Sequence, residues 1–280
     1  MVIFAATTVL GRLASVSAPV LVTWRCLLAA LGAFFWVALM RDREIWIGKK
    51  QIVKLLGVGV IIGLHWLCLF GAVKIANVSI ALAGLATLSL FTAFTEPLLN
   101  RRKIRIFEVF LGLIVLAGIC LIAGVETNHA VGLGVALLSA FLASVFLVLN
   151  RTIVINGGDP MVMVGWEMVA SALVCFLAVP IFDPLGFPAL AVTDAMDWLW
   201  ILILAWGCTV FAQALTNRLL RTISAYNFNL AANFEPVYGI IAAAIIFNEH
   251  ANLKPAFYLG TSAIVLANLL HPMMQRRFGK

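Results

Sequence analysis

Polar side chains recur at helical spacing inside stretches that are otherwise apolar. Trp206, Thr209, Gln213 and Thr216/Asn217 fall three or four residues apart and so share one helical face. Tyr226, Asn229 and Asn233 repeat the pattern a little further on. Amide side chains both donate and accept hydrogen bonds, which suits a small molecule carrying an ammonium and a carboxylate. Such groups are costly against lipid, so these faces are expected to line a cavity. The competing reading is hydrogen bonding between helices, worth ~0.6–2 kcal/mol per group. His65 joins the expected lining because it lies 148 residues before Gln213, the offset at which the two halves of the chain match. Thr87 and Phe146 complete it, each from a small-residue stretch.

Charged groups inside the apolar stretches are few. Glu235 lies ~200° around the helix from Asn233, at ~100° per residue. It shares its face with Phe228, Ala231/Ala232 and Gly239, a packing surface, and is expected there as a structural hydrogen-bonding acid. A proton-carrying role stays open. Pro236 frees a carbonyl one turn earlier and allows a bend. Glu96 and Glu167 sit near one end of their stretches, where either could hold a gate by pairing with Arg151 or Arg218. Arg12 is a further candidate for coupling or gating. Arg12 and Arg25 lie towards the opposite end, where long basic side chains snorkel to the interface.

The sequence carries no HExxH, GxSxG, phosphate-loop or dinucleotide-binding motif, and its four histidines are scattered. No catalytic residue, metal ligand or cofactor is expected, and the protein is read as a non-enzyme. The five cysteines lie inside apolar stretches without CxxC spacing and read as small packing residues.

The elements that must position these residues are transmembrane helices. At 64% apolar, 11% charged and a mean hydropathy of +1.09, too few polar residues remain to cover a water-soluble globule. The apolar runs are long enough to cross ~30 Å of hydrocarbon at ~20 residues each. Ten spans are expected, at about 2–16, 19–40, 53–74, 78–98, 106–124, 130–150, 161–182, 196–217, 225–247 and 255–272. Fifteen Lys and Arg fall in loops on one side and the C-terminal tail, against Lys74 and Lys254 on the other. By the positive-inside rule both termini are cytoplasmic, and the +7 net charge marks topology rather than nucleic-acid binding. Trp36, Trp46, Trp198 and Trp200 are placed as interfacial anchors.

The chain also repeats itself. Val22-Thr23-Trp24-Arg25 returns as Val164-Gly165-Trp166-Glu167, and Val9-Leu10-Gly11-Arg12 as Val148-Leu149-Asn150-Arg151. An offset of 148 pairs Gly59 with Gly207, and Gly112 with Gly260. Five spans per half turn the second copy upside down. The expected fold is an all-α membrane protein of ten helices, built as inverted repeats 1–124 and 130–272 around a central cavity, with a tail at 273–280. Inverted repeats place a site near the midplane that can open to either side, the architecture of secondary transporters.

With ten spans, Asn233-Phe234-Glu235-Pro236-Val237, then Asn248-Glu249, then Gly260, the chain resembles the drug/metabolite transporter superfamily, specifically its EamA-type repeat. The first half departs from it, with Leu88 and Arg101 at the positions matching Pro236 and Glu249. Within the superfamily the chain is similar to bacterial exporters of aromatic and other neutral amino acids. The resemblance implies export of a small-molecule substrate, an amino acid, across the bacterial inner membrane by alternating access, with the fifth and tenth helices outermost. An alternative within the same fold is a proton-coupled exporter of lipophilic drugs or other small metabolites, which Glu235 on the cavity face would favour.

Overall fold

A computed structural model describes residues 2–40, 44–101, 110–111, 114–115, 117–118, 121–122, 127–232 and 234–278. Among these there is no β-strand. The helices are α1 (Val2–Leu13), α2 (Ala18–Leu39), α3 (Lys49–Ile75), α4 (Val78–Leu85), α5 (Leu88–Leu99), α6 (Ala130–Ile155), α7 (Pro160–Phe182), α8 (Ala195–Ala205), α9 (Ala212–Leu219), α10 (Ala225–Ala232), α11 (Phe234–Phe247) and α12 (Pro255–Phe278). Six apolar helical segments among the described residues are long enough to cross a membrane: Ala18–Leu39, Lys49–Ile75, Val78–Leu99, Ala130–Ile155, Pro160–Phe182 and Ala195–Leu219. Val2–Leu13, Val237–Phe247 and Pro255–Ala267 are shorter apolar helices. Most of the expected fifth span lies outside the described residues.

Helix starts follow local chemistry. Pro19 and Pro160 sit in the first turns of α2 and α7, where a missing N–H costs nothing. Asn77, Asp159 and Asp194 accept main-chain N–H bonds at the starts of α4, α7 and α8. Two expected spans are not uniform helices. The span at 78–98 is interrupted at Ala86–Thr87, between α4 and α5. The span at 196–217 contains a π-helical segment, Trp206–Phe211, between α8 and α9.

The heaviest packing runs between the halves rather than within them. Helix α2 lies on α7, α3 on both α6 and α7, and α4 on α6 and α11. Helices α2 and α7 carry the matched Trp24-Arg25 and Trp166-Glu167 segments, so mate packs on mate. Small residues set the approach. A Cβ on Gly59 would stand 2.2 Å from the Glu167 carbonyl oxygen, so α3 and α7 touch backbone to backbone there. Gly118 and Gly260 meet in the same way, which joins the fifth and last expected spans. Helix α4 is buried on every side, in keeping with its small, smooth sequence.

Candidate functional site

Where the halves meet, a cavity is lined from both. Phe4 and Thr7 of α1, Arg25 of α2, and His65, Trp66 and Leu69 of α3 contribute, as do Leu85 and Leu88. The second half supplies Ala143, Phe146 and Leu147 of α6, Cys208, Gln213 and Thr216, and then Phe228, Ala232 and Glu235. Its volume of about 70 Å³ is small beside the roughly 300–1,000 Å³ of ligand pockets.

Three of the expected lining residues meet here: His65, Phe146 and Gln213. His65 Nδ1 lies 2.9 Å from the Ser139 carbonyl oxygen and 2.8 Å from the Ser139 hydroxyl. The Ser139 hydroxyl also reaches the His65 carbonyl at 3.0 Å, so α3 and α6 are pinned at this level. The imidazole stands 5.5 Å from the Phe146 ring. Gln213 is buried and its Nε2 has no hydrogen-bond partner.

The remaining expected residues are placed elsewhere. Trp206 is 60% exposed and faces outward beside Gly32 of α2. The stripe of α8–α9 assumed one continuous α-helical period, whereas the π-helical segment widens the turn and rotates Trp206 off the cavity face. Thr209 marks that slip, its hydroxyl donating to the Leu204 carbonyl five residues back at 2.8 Å. Thr87 is buried at the α4–α5 interruption and turns its hydroxyl back to the Gly84 carbonyl at 2.7 Å. Asn217 is fully buried and does not line the chamber. Asn229 donates from Nδ2 to Thr92 Oγ1 at 2.7 Å, a tie between α10 and α5. Tyr226 is buried at the first turn of α10, its main-chain N–H donating to Glu96 Oε2 at 3.1 Å. Asn233 lies outside the described residues.

The charged residues change places most. Glu235, assigned to a packing face, lines the chamber with Phe228 and Ala232, while Gly239 of that face packs on Leu82. The face is thus divided along its length, chamber first and helix packing after. Arg25, expected to snorkel, is 1% exposed and lines the chamber. Its Nε donates to Thr209 Oγ1 at 2.6 Å and its Nη2 to the Cys208 carbonyl at 3.5 Å. Its guanidinium carbon stands 4.0 Å from the centre of the Trp66 ring and 5.4 Å from that of Phe70. Arg25 sits seven residues into α2, about 10 Å down a helix rising ~1.5 Å per residue. A charge at that depth is itself the signal that could have identified it.

The gating candidates divide. Glu96 Oε1 is 3.9 Å from Arg151 Nη1, the pairing expected of it. Glu167 pairs with neither Arg151 nor Arg218 among the described residues. It is fully buried, and its Oε2 accepts from Asn150 Nδ2 at 3.4 Å. Arg12 is exposed and donates from Nη1 to the Val73 carbonyl at 3.3 Å, at the last turn of α3. Two acids to which the sequence reading gives no bonding role tie elements together. Asp197 accepts from the Ser15 N–H at 2.7 Å and also bonds the Ser15 hydroxyl, tying α8 to the end of α1. Glu249 accepts from the N–H groups of Val78 and Ser79 at 3.0 and 2.9 Å and from the Ser79 hydroxyl at 2.7 Å.

Among the described residues, no cluster of three His, Cys, Asp or Glu side chains could hold a metal ion. No protein of curated function matches the chain. Sixteen chains of solved structure match it. One, titled "Crystal structure of protein", is 18% identical with a TM-score of 0.67, covering 98% of this chain and 97% of its own, which is a likeness of fold. The sequence itself matches one family twice, over residues 1–124 and again over 130–270, the two stretches that meet at the chamber. A multi-pass helical chain made of two such repeats belongs to the EamA-like transporter family.

Proposed function

We propose that the protein is a secondary transporter that exports amino acids, aromatic and neutral ones with broad side-chain tolerance, from cytoplasm to periplasm by alternating access. The observation that carries this reading is the chamber itself: a cavity lined from both halves, with walls of Phe, Leu and Ala interrupted by a few polar groups. Apolar walls tolerate varied side chains, because one methylene more or less changes binding by only ~1–3 kcal/mol. The end of the bundle where the basic loops gather is taken as cytoplasmic, and the Glu96–Arg151 pair as part of its closure.

A second reading, export of lipophilic cations, draws support from Glu235, because an acid on the chamber wall suits a cationic solute. Liposomes loaded with labelled phenylalanine, threonine or an ethidium-like cation separate the two. Efflux of the amino acids above protein-free controls is the expected result. Robust transport of the cation with none of any neutral amino acid would replace the first reading by the second. Efflux unchanged by an imposed pH gradient and by Glu235→Gln would keep the substrate class and discard a proton role for that residue.

A further inference from the structure

We propose that Arg25 binds the carboxylate of the transported molecule, which makes a free carboxylate a requirement for recognition. The proposal deepens the amino-acid reading and rests on it for the identity of the solute.

The argument begins with an unbalanced charge. Arg25 is among the largest fully buried side chains, and its Nη1 has no hydrogen-bond partner. Its other contacts are a hydroxyl, a main-chain carbonyl and two aromatic rings, none of which carries a negative charge. Among the described residues no carboxylate lies within 4.0 Å of it. A guanidinium removed from water without a counter-charge is expensive, and a merely structural tie to Thr209 and Cys208 would need only a neutral donor. Retaining the full charge at the wall of a chamber shared by both halves makes sense if the counter-charge arrives with the ligand.

The contacts also prepare the group for that task. Stacking on Trp66 and the bond from Nε to Thr209 fix the plane of the fork, and a fixed guanidinium pairs with a carboxylate through two parallel N–H bonds. Because Thr209 and Cys208 belong to the π-helical segment, the residue that would read the substrate is anchored on the irregular part of the second half. Chamber chemistry limits the anion. Arg25 is the only Lys or Arg among the lining residues, too little for a phosphate or a dicarboxylate. Glu235 on the same wall offers a carboxyl to hydrogen-bond the ammonium end of such a solute.

The test measures binding separately from transport. Labelled phenylalanine is bound to the purified full-length protein in detergent and displaced by unlabelled phenylalanine, by phenylalaninamide and by hydrocinnamate, which lack the carboxylate charge and the ammonium respectively. Phenylalaninamide should compete at least tenfold more weakly than phenylalanine, while hydrocinnamate keeps part of the affinity. In Arg25→Gln the acid-over-amide preference should vanish, and in Arg25→Lys it should survive in part. Thermal unfolding of each variant reports whether it is folded, and the wild-type competition needs no variant. Equal competition by acid and amide on the wild type would overturn the proposal, as would a preference that persists in folded Arg25→Gln. Failure of every carboxylate-bearing probe to bind would overturn it too. Carboxylate-selective binding without efflux from liposomes would leave Arg25 in place and sink the export reading instead.

Discussion

The first turns of α4 and α10 are repeat mates, Val78 and Tyr226 being 148 residues apart, and each is capped by an acid from the opposite half. Glu249 reaches over to Val78 and Ser79, and Glu96 reaches over to Tyr226. A carboxylate suits both places, because a helix start presents unpaired N–H groups and a partial positive charge. The clamps at helix ends are mated as well. Arg12 donates to Val73 at the end of α3, and Arg151 donates from Nε to the Ile223 carbonyl, 3.2 Å away and just beyond α9. Even the indoles correspond. Trp24 and Trp166 bond to the Leu190 and Ile45 carbonyls, both at 3.0 Å, and pack on Trp198 and Trp46.

The two ends differ in how these parts are joined. Where Glu249 works, the cap makes three bonds of ordinary length and stands apart from Arg12. At the basic end Glu96 makes one such bond among the described residues and stands 3.9 Å from Arg151, the pair being partly exposed. The repeat thus preserves what the backbone needs, a capped start and a clamped end, while the residue supplying the cap shifts by five positions. Glu249 would map to Arg101, and the acid that does the work is Glu96.

Packing offers the sharpest break. Gly59→Ala should give the largest loss, because its Cβ would meet the Glu167 carbonyl oxygen at 2.2 Å and the Glu167 Cα at 2.8 Å. Both are backbone atoms, so α3 and α7 would have to separate, and the 2.7 Å bond from Ser171 Oγ to the Gly59 carbonyl would go with them. Little folded protein is expected on size-exclusion in detergent, and a normal yield of monodisperse protein would refute the close approach.

Glu249→Ala should come next. It removes three bonds to a buried carboxylate, with hydrogen bonds to charged groups worth roughly 1.5–3 kcal/mol each before compensation. A net loss of about 3 kcal/mol is expected in thermal unfolding, with Glu249→Gln recovering part of it. An unchanged melting temperature would show that α4 needs no cap from the other half. Glu96→Ala should cost less, and a double-mutant cycle with Arg151→Ala should yield a coupling of about 1 kcal/mol or below, as partly exposed pairs do. Its larger effect should fall on access. A cysteine at Gln213, with the native cysteines replaced, should react faster with an impermeant thiol reagent from the basic end when Glu96 is Ala. Equal rates would remove Glu96 from the closure.

What could be read from sequence follows from what repeats. His65 and Gln213, paired by the offset of 148, both line the chamber, whereas Gly59 and Gly207, paired by the same offset, have unlike surroundings. Trp206 leaves the expected face because a π-helical turn breaks the 3.6-residue period without a marker in composition. Face and depth alone do not place Arg25 and Glu235, because a face can serve the chamber at one height and packing at another, as that of Glu235 and Gly239 does. The reach of Glu249 across the halves had no local signal, since the cap and its helix are about 170 residues apart in the chain.

The smallest effect should come from the mate of the most damaging site. Gly207 corresponds to Gly59 at the offset of 148, yet nothing stands within 4 Å of a Cβ built on it. It lies in the π-helical segment, exposed, where α3 at the mated level is pressed against α7. Gly207→Ala should therefore be tolerated, changing stability by less than about 1 kcal/mol, because alanine loses less backbone entropy than glycine in a helix. The same substitution thus measures how far the two halves have diverged at equivalent points. Comparable damage at Gly59 and Gly207 would mean that α9 and its π turn close on a neighbour in another state of the transport cycle, and efflux measured beside melting temperature would tell this apart. A Gly207→Ala protein that melts normally but no longer transports would place the moving contact there.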